Sequence, residues 1–249
     1  MSKTVAWILL VVGGLCAFRL ADAAAPVDTA TVAPIENLKA ESAAKLSALE
    51  KLLSDGGSFE ESKKRQIPQA AGVLACLAQA IGEHKDREKS GVAAADLRDA
   101  AIALVNSASH DDAEKALATA KQAFEGKGDG KAAPEHEWNQ LINLHRLMEE
   151  VNARNSKVRV ALRRPKDPQA ESLHATTLAV LALAMHADTH EVKDKSQIPQ
   201  WQKHAGDYQR NMTALAAAIK AKDKDRGNEL FKAAQKSCND CHKAFRKEE

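Results

Sequence analysis

The sequence predicts an all-α fold. Alanine is the most common of its 249 residues, with 48 copies, and Ala, Leu, Glu, Lys and Gln all favour helices. β-Branched runs, which strands favour, are nearly absent after the first dozen residues. The chain also has no glycine-rich phosphate-binding loop. These observations exclude an all-β fold and argue strongly against a parallel α/β sheet.

The first 23 residues have the pattern of a secretory signal peptide. Lys3 precedes an apolar stretch at residues 5–18, and Ala21-Asp22-Ala23 forms a small-x-small cleavage site. This stretch is shorter than the roughly 20 residues of a spanning helix, so cleavage after Ala23 is preferred over an uncleaved membrane anchor. The predicted mature chain is periplasmic and not bound to a membrane. Its formal net charge of +1, compared with +2 for the whole chain, gives no reason to expect nucleic acid as a partner.

Apolar residues then recur at helical spacing through the rest of the chain, with six interruptions. These are Asp55–Gly57, Ile67-Pro68, Gly82–Gly91, Gly126–Pro134, Arg164–Pro168 and His186–Pro199. They predict about eight helices, four on each side of the segment Gly126–Gly130. Ser109, followed three residues later by Asp112, resembles a capping box and marks the start of one helix.

The two halves of the chain also resemble each other. Pro68-Gln69-Ala70 corresponds to Pro168-Gln169-Ala170, and five of eight residues are identical between 74–81 and 178–185. The offset grows from 100 to about 113 at the last helices, as insertions in loops would produce. We therefore predict two tandem antiparallel four-helix bundles, over residues 34–126 and 134–249.

The strongest chemical signal is Cys238-Asn239-Asp240-Cys241-His242, a C-x-x-C-H sequence typical of c-type haem attachment. On a helix, the two thiols and the imidazole lie at i, i+3 and i+4 and share one face. The thiols can then bond the vinyl groups of a haem while His242 binds the iron. A zinc site would need further ligands, and Cys76 is the only other cysteine of the mature chain. A thioredoxin-like redox pair would need a βαβ context.

A haem motif on the last helix of a four-helix bundle resembles the cytochrome c′ family and its low-spin relatives. The run Cys238–Lys247 is similar to the ending of that family, in which an aromatic and a basic residue follow the histidine, here Phe245 and Arg246. The resemblance implies one covalent haem c on Cys238 and Cys241. It also implies that His242 is the proximal ligand and that Arg246 lies beside the proximal face. A solvated cation at the helix end is the alternative interpretation of Arg246.

The first half departs from this pattern. At the offset of 113, Glu125, Gly128 and Asp129 occupy the positions of the two cysteines and the histidine, so we predict a haemless copy. Cys76 lies on an apolar stripe and is predicted to be a buried, inert thiol. Because the family pairs through its first two helices, the resemblance implies that the haemless half acts as a built-in dimer partner. A homodimer of the whole chain is compatible with the same resemblance.

The sixth iron ligand is left open by the resemblance. In this family the first helix of the bundle covers the distal face, where a methionine makes the iron six-coordinate and a bulky aliphatic residue leaves it five-coordinate. The matching helix is predicted over residues 134–161, with Met148 on its apolar stripe. Met148 is the candidate distal ligand, and ordinary core packing is its alternative role. His145 would give a bis-histidine site instead, and Leu144 or Leu147 would cap a five-coordinate iron.

Four other histidines give weaker signals. His186 and His190 are spaced i, i+4 and could bind a metal, but no third ligand is evident, so a solvated helix end is favoured. We can identify no partner for His174 or His204 from the sequence.

We therefore expect a monohaem cytochrome that transfers single electrons between redox partner proteins after maturation by the haem c attachment machinery. The alternative is a protein that binds small gases, NO or CO, at a five-coordinate iron. A third interpretation is an interaction module in which haem mainly stabilises the second bundle. No arrangement of catalytic groups can be argued from this sequence, so we do not expect an enzyme.

Overall fold

The computed structural model describes residues 25–132 and 136–246. These residues form helices, turns and loops without any β-strand, which confirms the predicted all-α fold. The predicted signal peptide at residues 1–23 lies outside the described residues, as do residues 133–135 and 247–249. None of the helices so described combines the length and the apolar character that crossing a membrane requires.

Eight long helices account for most of the structure. The first four are α1 (Ile35–Leu53), α2 (Gln66–Gly82), α3 (Ala94–Val105) and α4 (His110–Phe124); the second four are α5 (Leu144–Arg163), α6 (Pro168–Ala187), α7 (Ile198–Lys220) and α8 (Lys224–Phe245). Short helices at Thr29–Val32, Phe59–Lys64 and Arg87–Ser90 precede or separate members of the first four. Most helix ends fall at the predicted interruptions. The Ser109 side chain caps α4 by accepting a hydrogen bond from the amide of Asp112.

The start of α5 differs from the prediction. A helix was expected from residue 134, but α5 begins at Leu144, after a 3-10 turn at Trp138–Gln140. The indole of Trp138 is fully buried and donates to Glu83 Oε1 at 3.1 Å, which ties this segment to the end of α2. Asn143 then caps α5 by accepting from the first amides of the helix. A tertiary contact and a cap thus override the local helical pattern.

The two sets of four helices share one core. Consecutive helices pack within each set, and α1 also contacts α4, whereas α5 and α8 touch only sparsely. Between the sets, α2 contacts α5 and α6, and α1 contacts α6. Residues 178–185 and, apart from Gln79, residues 74–81 are apolar on every face, as expected for α2 and α6, which are buried on nearly every side. A single cluster of buried apolar side chains runs through both sets, and their assignment to two tandem bundles remains a prediction.

A buried network of charged side chains joins the two sets. Arg154 on α5 donates through Nε to Glu150 at 2.8 Å and through Nη2 to Glu41 of α1 at 2.7 Å. Glu150 also accepts from Lys45 Nζ at 2.6 Å and from Gln69 Nε2 at 2.7 Å. Two cations thus balance two anions, as buried charges require. Burial opposes ionisation of Glu150, but Lys45 and Arg154 outweigh it and hold the pKa of this carboxyl at about 2.

His174 on α6 extends this network and makes the fold sensitive to acid. Its Nδ1 lies 3.3 Å from Arg154 Nη1. Burial and the positive charge of Arg154 lower the pKa of His174 from 6.5 to about 4. The folded chain therefore binds this proton more weakly than the unfolded chain does. The resulting stabilisation is complete above pH 6.5 and is lost as the pH falls toward 4.

We expect the free energy of unfolding to fall by about 1 to 2 kcal/mol across this window, after allowance for solvent screening. Urea titrations at a series of pH values measure it, and His174→Gln should flatten the decline. His190→Gln is a contrasting control. Hydrogen bonding to Asp188 raises the pKa of His190, so its stabilisation is lost as the pH rises above 6.5, and His190→Gln should leave the slope between pH 6.5 and 4 nearly unchanged. A His174→Gln profile parallel to that of the wild type would contradict the assignment.

Candidate functional site

The C-x-x-C-H motif lies in the last two turns of α8. Asp223 starts this helix by accepting a hydrogen bond from the amide of Arg226 at 3.0 Å. The helix continues without a break through Cys238, Cys241 and His242. The two thiols and the imidazole therefore have the helical spacing that the sequence predicts.

Helix α8 extends beyond its counterpart in the first set. Helix α4 ends at Phe124, one residue before Glu125, which matches Cys238 at the offset of 113. Gly128 and Asp129, the counterparts of the second cysteine and the histidine, lie in a loop. The motif thus occupies turns of helix that the first set does not have.

The ionisable groups of the motif are neutral at pH 7. Burial raises the pKa of Cys238 to about 12 and that of Cys241 to about 11. Burial and the nearby charge of Arg246 lower the pKa of His242, whose side chain reaches the surface. Arg246 lies just past the end of α8, where its amide donates to the His242 carbonyl at 2.9 Å. The site therefore offers two protonated thiols and an imidazole with a free lone pair.

Helix α7 forms one wall beside the motif. The ring of Trp201 meets Phe245 edge-on at 5.3 Å, and its Nε1 donates to the Met185 carbonyl at 2.7 Å. Tyr208 is buried, and burial and the neighbouring Cys238 raise its pKa. Sequence reasoning did not select Trp201 or Tyr208, although the chain has few aromatic residues and Tyr208 is its only tyrosine.

His204 lies on the same wall and has an unsatisfied atom. Its Nε2 is buried and has no hydrogen-bond partner within the part of the chain that the structure describes. Its ring centroid lies 6.4 Å from that of Phe245, one residue before Arg246. Buried polar atoms are rarely left unpaired, so this nitrogen is available to hydrogen-bond a group bound beside it.

Helix α5 faces α8 across the other side of the motif, in antiparallel direction. A Cβ on Gly227 would lie 2.7 Å from Leu162 Cδ2, so the absence of a side chain permits this close approach. One turn further along α8, Arg159 lies over the ring of Phe231, with its Cζ 5.9 Å from the centroid. These two contacts set the register of the helix pair.

Met148 and His242 each lie eleven residues from the Arg159–Phe231 contact, in opposite chain directions, so parallel helix axes would place them at one level. Met148 is partly buried against the core, on the same stripe of α5 as Asn155 and Arg159. Asn155 accepts a hydrogen bond from the Tyr208 hydroxyl at 3.2 Å, so this stripe faces the helices that surround the motif.

Two of the other distal candidates, His145 and Leu147, lie off this stripe of α5. The His145 side chain is 75% exposed, and its Nε2 lies 3.6 Å from Glu149 Oε1, on the side of α5 toward Arg65. Leu144 and Leu147 are buried in the core. Leu144 and Met148 both lie on the stripe of α5 that carries Asn155 and Arg159, and Met148 is the one of the two whose side chain could bind iron.

The competing interpretations of the motif find less support in its geometry. Among the described residues, one group of three side chains places its ligand atoms within 4.8 Å of one another. It consists of His110, Asp111 and Glu114 in the first set. The two thiols and the imidazole of the motif do not converge in this way, as a zinc site would require. Thioredoxin-type pairs have a lowered thiol pKa, whereas burial raises the pKa of both cysteines here.

His186 and His190 do not form the pair that their spacing suggested. Helix α6 ends at Ala187, so His190 lies in the following turn and not on the helix. His190 instead pairs with Asp188 and with Glu191, the latter at 3.2 Å. The helical i, i+4 interpretation is therefore wrong, because the helix ends between the two residues.

The chain matches no protein-family model, no curated protein and no solved structure. Any functional assignment therefore depends on the motif and on the residues that surround it.

Proposed function

We propose that this chain is an exported monohaem c-type cytochrome that carries single electrons between protein partners. The observation that carries the proposal is the position of Cys238, Cys241 and His242 on the last turns of α8, at the i, i+3 and i+4 spacing of one helix face. Haem bonded to the two thiols, with its iron on His242, supplies a reversible one-electron couple. Maturation would take place in the periplasm, where the predicted signal peptide directs the chain.

The residues around the motif suit such a group. The pKa of His242 is lowered and its side chain reaches the surface, so the neutral imidazole has a nitrogen free to bind iron. The aromatic wall of α7 is held rigidly by the hydrogen bonds of Trp201 and Tyr208. A group bound along α7 and α8 would also bring polar atoms toward the unpaired His204 nitrogen.

Expression of the complete chain in a bacterium that has the haem c attachment machinery tests this proposal. The expected product is the mature chain, cleaved after Ala23, with the added mass of one haem and a reversible one-electron potential. A periplasmic product without covalent haem, despite active attachment machinery, would refute the assignment.

Met148 is the proposed sixth ligand, and Met148→Leu tests it while keeping most of the core packing. We expect the low-spin ferric iron of the wild type to become high-spin, because the thioether is lost. The free energy of unfolding should change by less than about 1.5 kcal/mol, since the volume is nearly preserved. Electron paramagnetic resonance and absorption spectra measure the spin state, and His145→Gln is the control for bis-histidine ligation. An unchanged low-spin signal in Met148→Leu would assign this residue to core packing.

Binding of small gases is the second candidate function. The sparse contact between α5 and α8 favours it, because a small ligand could enter between two helices that pack loosely. The wild-type spectra distinguish the two candidates. An iron that is high-spin and takes up CO rapidly would favour gas binding, and a low-spin iron that resists CO would favour electron transfer.

A further inference from the structure

The polar side chains on the N-terminal turns of α5 are turned toward the first set of helices. Glu150 accepts from Lys45 of α1 and Gln69 of α2, at 2.6 Å and 2.7 Å. One residue earlier, Glu149 pairs with Arg65 Nε at 3.0 Å. Every one of these contacts crosses from the second set of helices to the first.

The same turns of α5 have little to hold them against α8. The described contacts between these two helices, at Leu162 and Arg159, lie in the C-terminal half of α5. No hydrogen bond or ion pair of residues 25–132 and 136–246 joins residues 144–152 to α8. Polar contacts with the first set and packing on α6, rather than contacts with α8, therefore hold the N-terminal turns of α5 in place.

Glu150 is the central member of these contacts. It lies two residues after Met148 on the same turn of α5, so the two side chains move together although they point to different sides. Its carboxylate is 6% exposed, and Lys45 and Arg154 supply the compensating charges. Removal of the Lys45 ammonium would leave the buried carboxylate with one of its two cations, which favours movement of the carboxylate toward water.

We infer that Lys45 and Gln69, hereafter the clamp residues, are positioning residues for the sixth coordination position of the iron. They belong to the haemless half and do not touch the motif. They hold Glu150, and through it the turn of α5 that carries Met148, at a fixed distance from His242. This inference rests on the proposed function, and it gives the haemless half a role in setting the coordination of the iron in the other half.

Lys45→Met in the complete, haem-loaded protein tests the inference. The substitution keeps most of the side-chain length and removes the charge. The rate of CO binding after flash photolysis and the high-spin fraction of the ferric iron are the readouts. We expect CO to bind about tenfold faster, a coupling typical of two linked sites, with unchanged covalent haem content. Lys51→Met on the same helix is the matched control, because Lys51 is exposed, and its rate should equal that of the wild type.

The outcomes separate this inference from the proposed function. Absence of covalent haem in the wild type would refute both. A loaded wild type, together with a Lys45→Met variant whose CO rate and spin state are unchanged, would overturn only the inference. If Lys45→Met does not fold, Gln69→Met takes its place, because it removes a single neutral donor from Glu150. A faster CO rate in that variant supports the clamp, and an unchanged rate overturns it.

Discussion

Covalent haem is expected to disappear completely when Cys238 and Cys241 are both replaced by Ala. Each thiol would form one thioether bond, so the double variant could hold haem only through His242. Such a haem would be lost on denaturation. A haem-stained denaturing gel, with protein stain for loading, measures the effect. We expect a single-Ala variant to keep a weaker band, because one thioether remains.

Cys76→Ala is the matched control for this experiment. Cys76 is fully buried on α2, and burial raises its pKa far above the usual range. Its thiol is inert and distant in the chain from the motif, so the haem band should have full intensity. A band that survives in the double variant, or one that is lost in Cys76→Ala, would contradict the assignment of the attachment site.

Arg154→Met is expected to give the largest loss of stability among single substitutions in the buried network. The guanidinium bridges Glu41 and Glu150, so its removal leaves two buried carboxylates with Lys45 as the remaining cation. Breaking a buried ion pair in this way costs about 3 to 5 kcal/mol, a large share of the stability of a typical domain. Urea unfolding followed by far-UV circular dichroism measures the change.

Two further variants test whether the missing positive charge causes the loss of stability in Arg154→Met. Arg163→Met on the same helix removes an exposed guanidinium and should change the free energy of unfolding by no more than about 0.5 kcal/mol. Adding Glu41→Gln to Arg154→Met removes one uncompensated carboxylate and should recover part of the loss. A loss below about 1 kcal/mol in Arg154→Met would mean that water or a shift of the helix compensates the charges.

Whether the end of a helix was predicted correctly depends on whether local residues determine that end. Most ends are marked locally by glycine, proline or a cap such as Ser109, and these predictions agree with the structure. The start of α5 is not determined locally. The Trp138 indole bonds to Glu83, which is far away in the chain. This contact holds the segment before Leu144 outside the helix, although its apolar spacing predicts a helix. A pattern of apolar spacing cannot indicate such a contact.

The internal repeat was informative for a different reason. The segments at 74–81 and 178–185 were matched because both are rich in Leu and Ala. The structure shows that these segments belong to the two helices that lie between the sets, where every face is buried. Their likeness in sequence thus corresponds to a likeness in environment. The sequence did not reveal that the helices contact each other.

The candidate site likewise contains residues that the sequence indicated and residues that only the structure shows. Cys238, Cys241 and His242 could be selected from the sequence because their chemistry depends on spacing along one helix. The side chains that surround them, Trp201 and Tyr208, come from another helix and gave only a compositional hint. No sequence pattern pairs Lys45 with Glu150, since 105 residues separate them.

The sequence by itself therefore determined the helical class, the positions of most helices and the haem-type motif, all of which depend on residues a few positions apart. Tertiary structure decided how the two sets of helices share a core, which side of α5 faces α8, and where the buried charges meet. These properties depend on packing and charge compensation between residues that are distant in the chain, and backbone spacing carries no information about them.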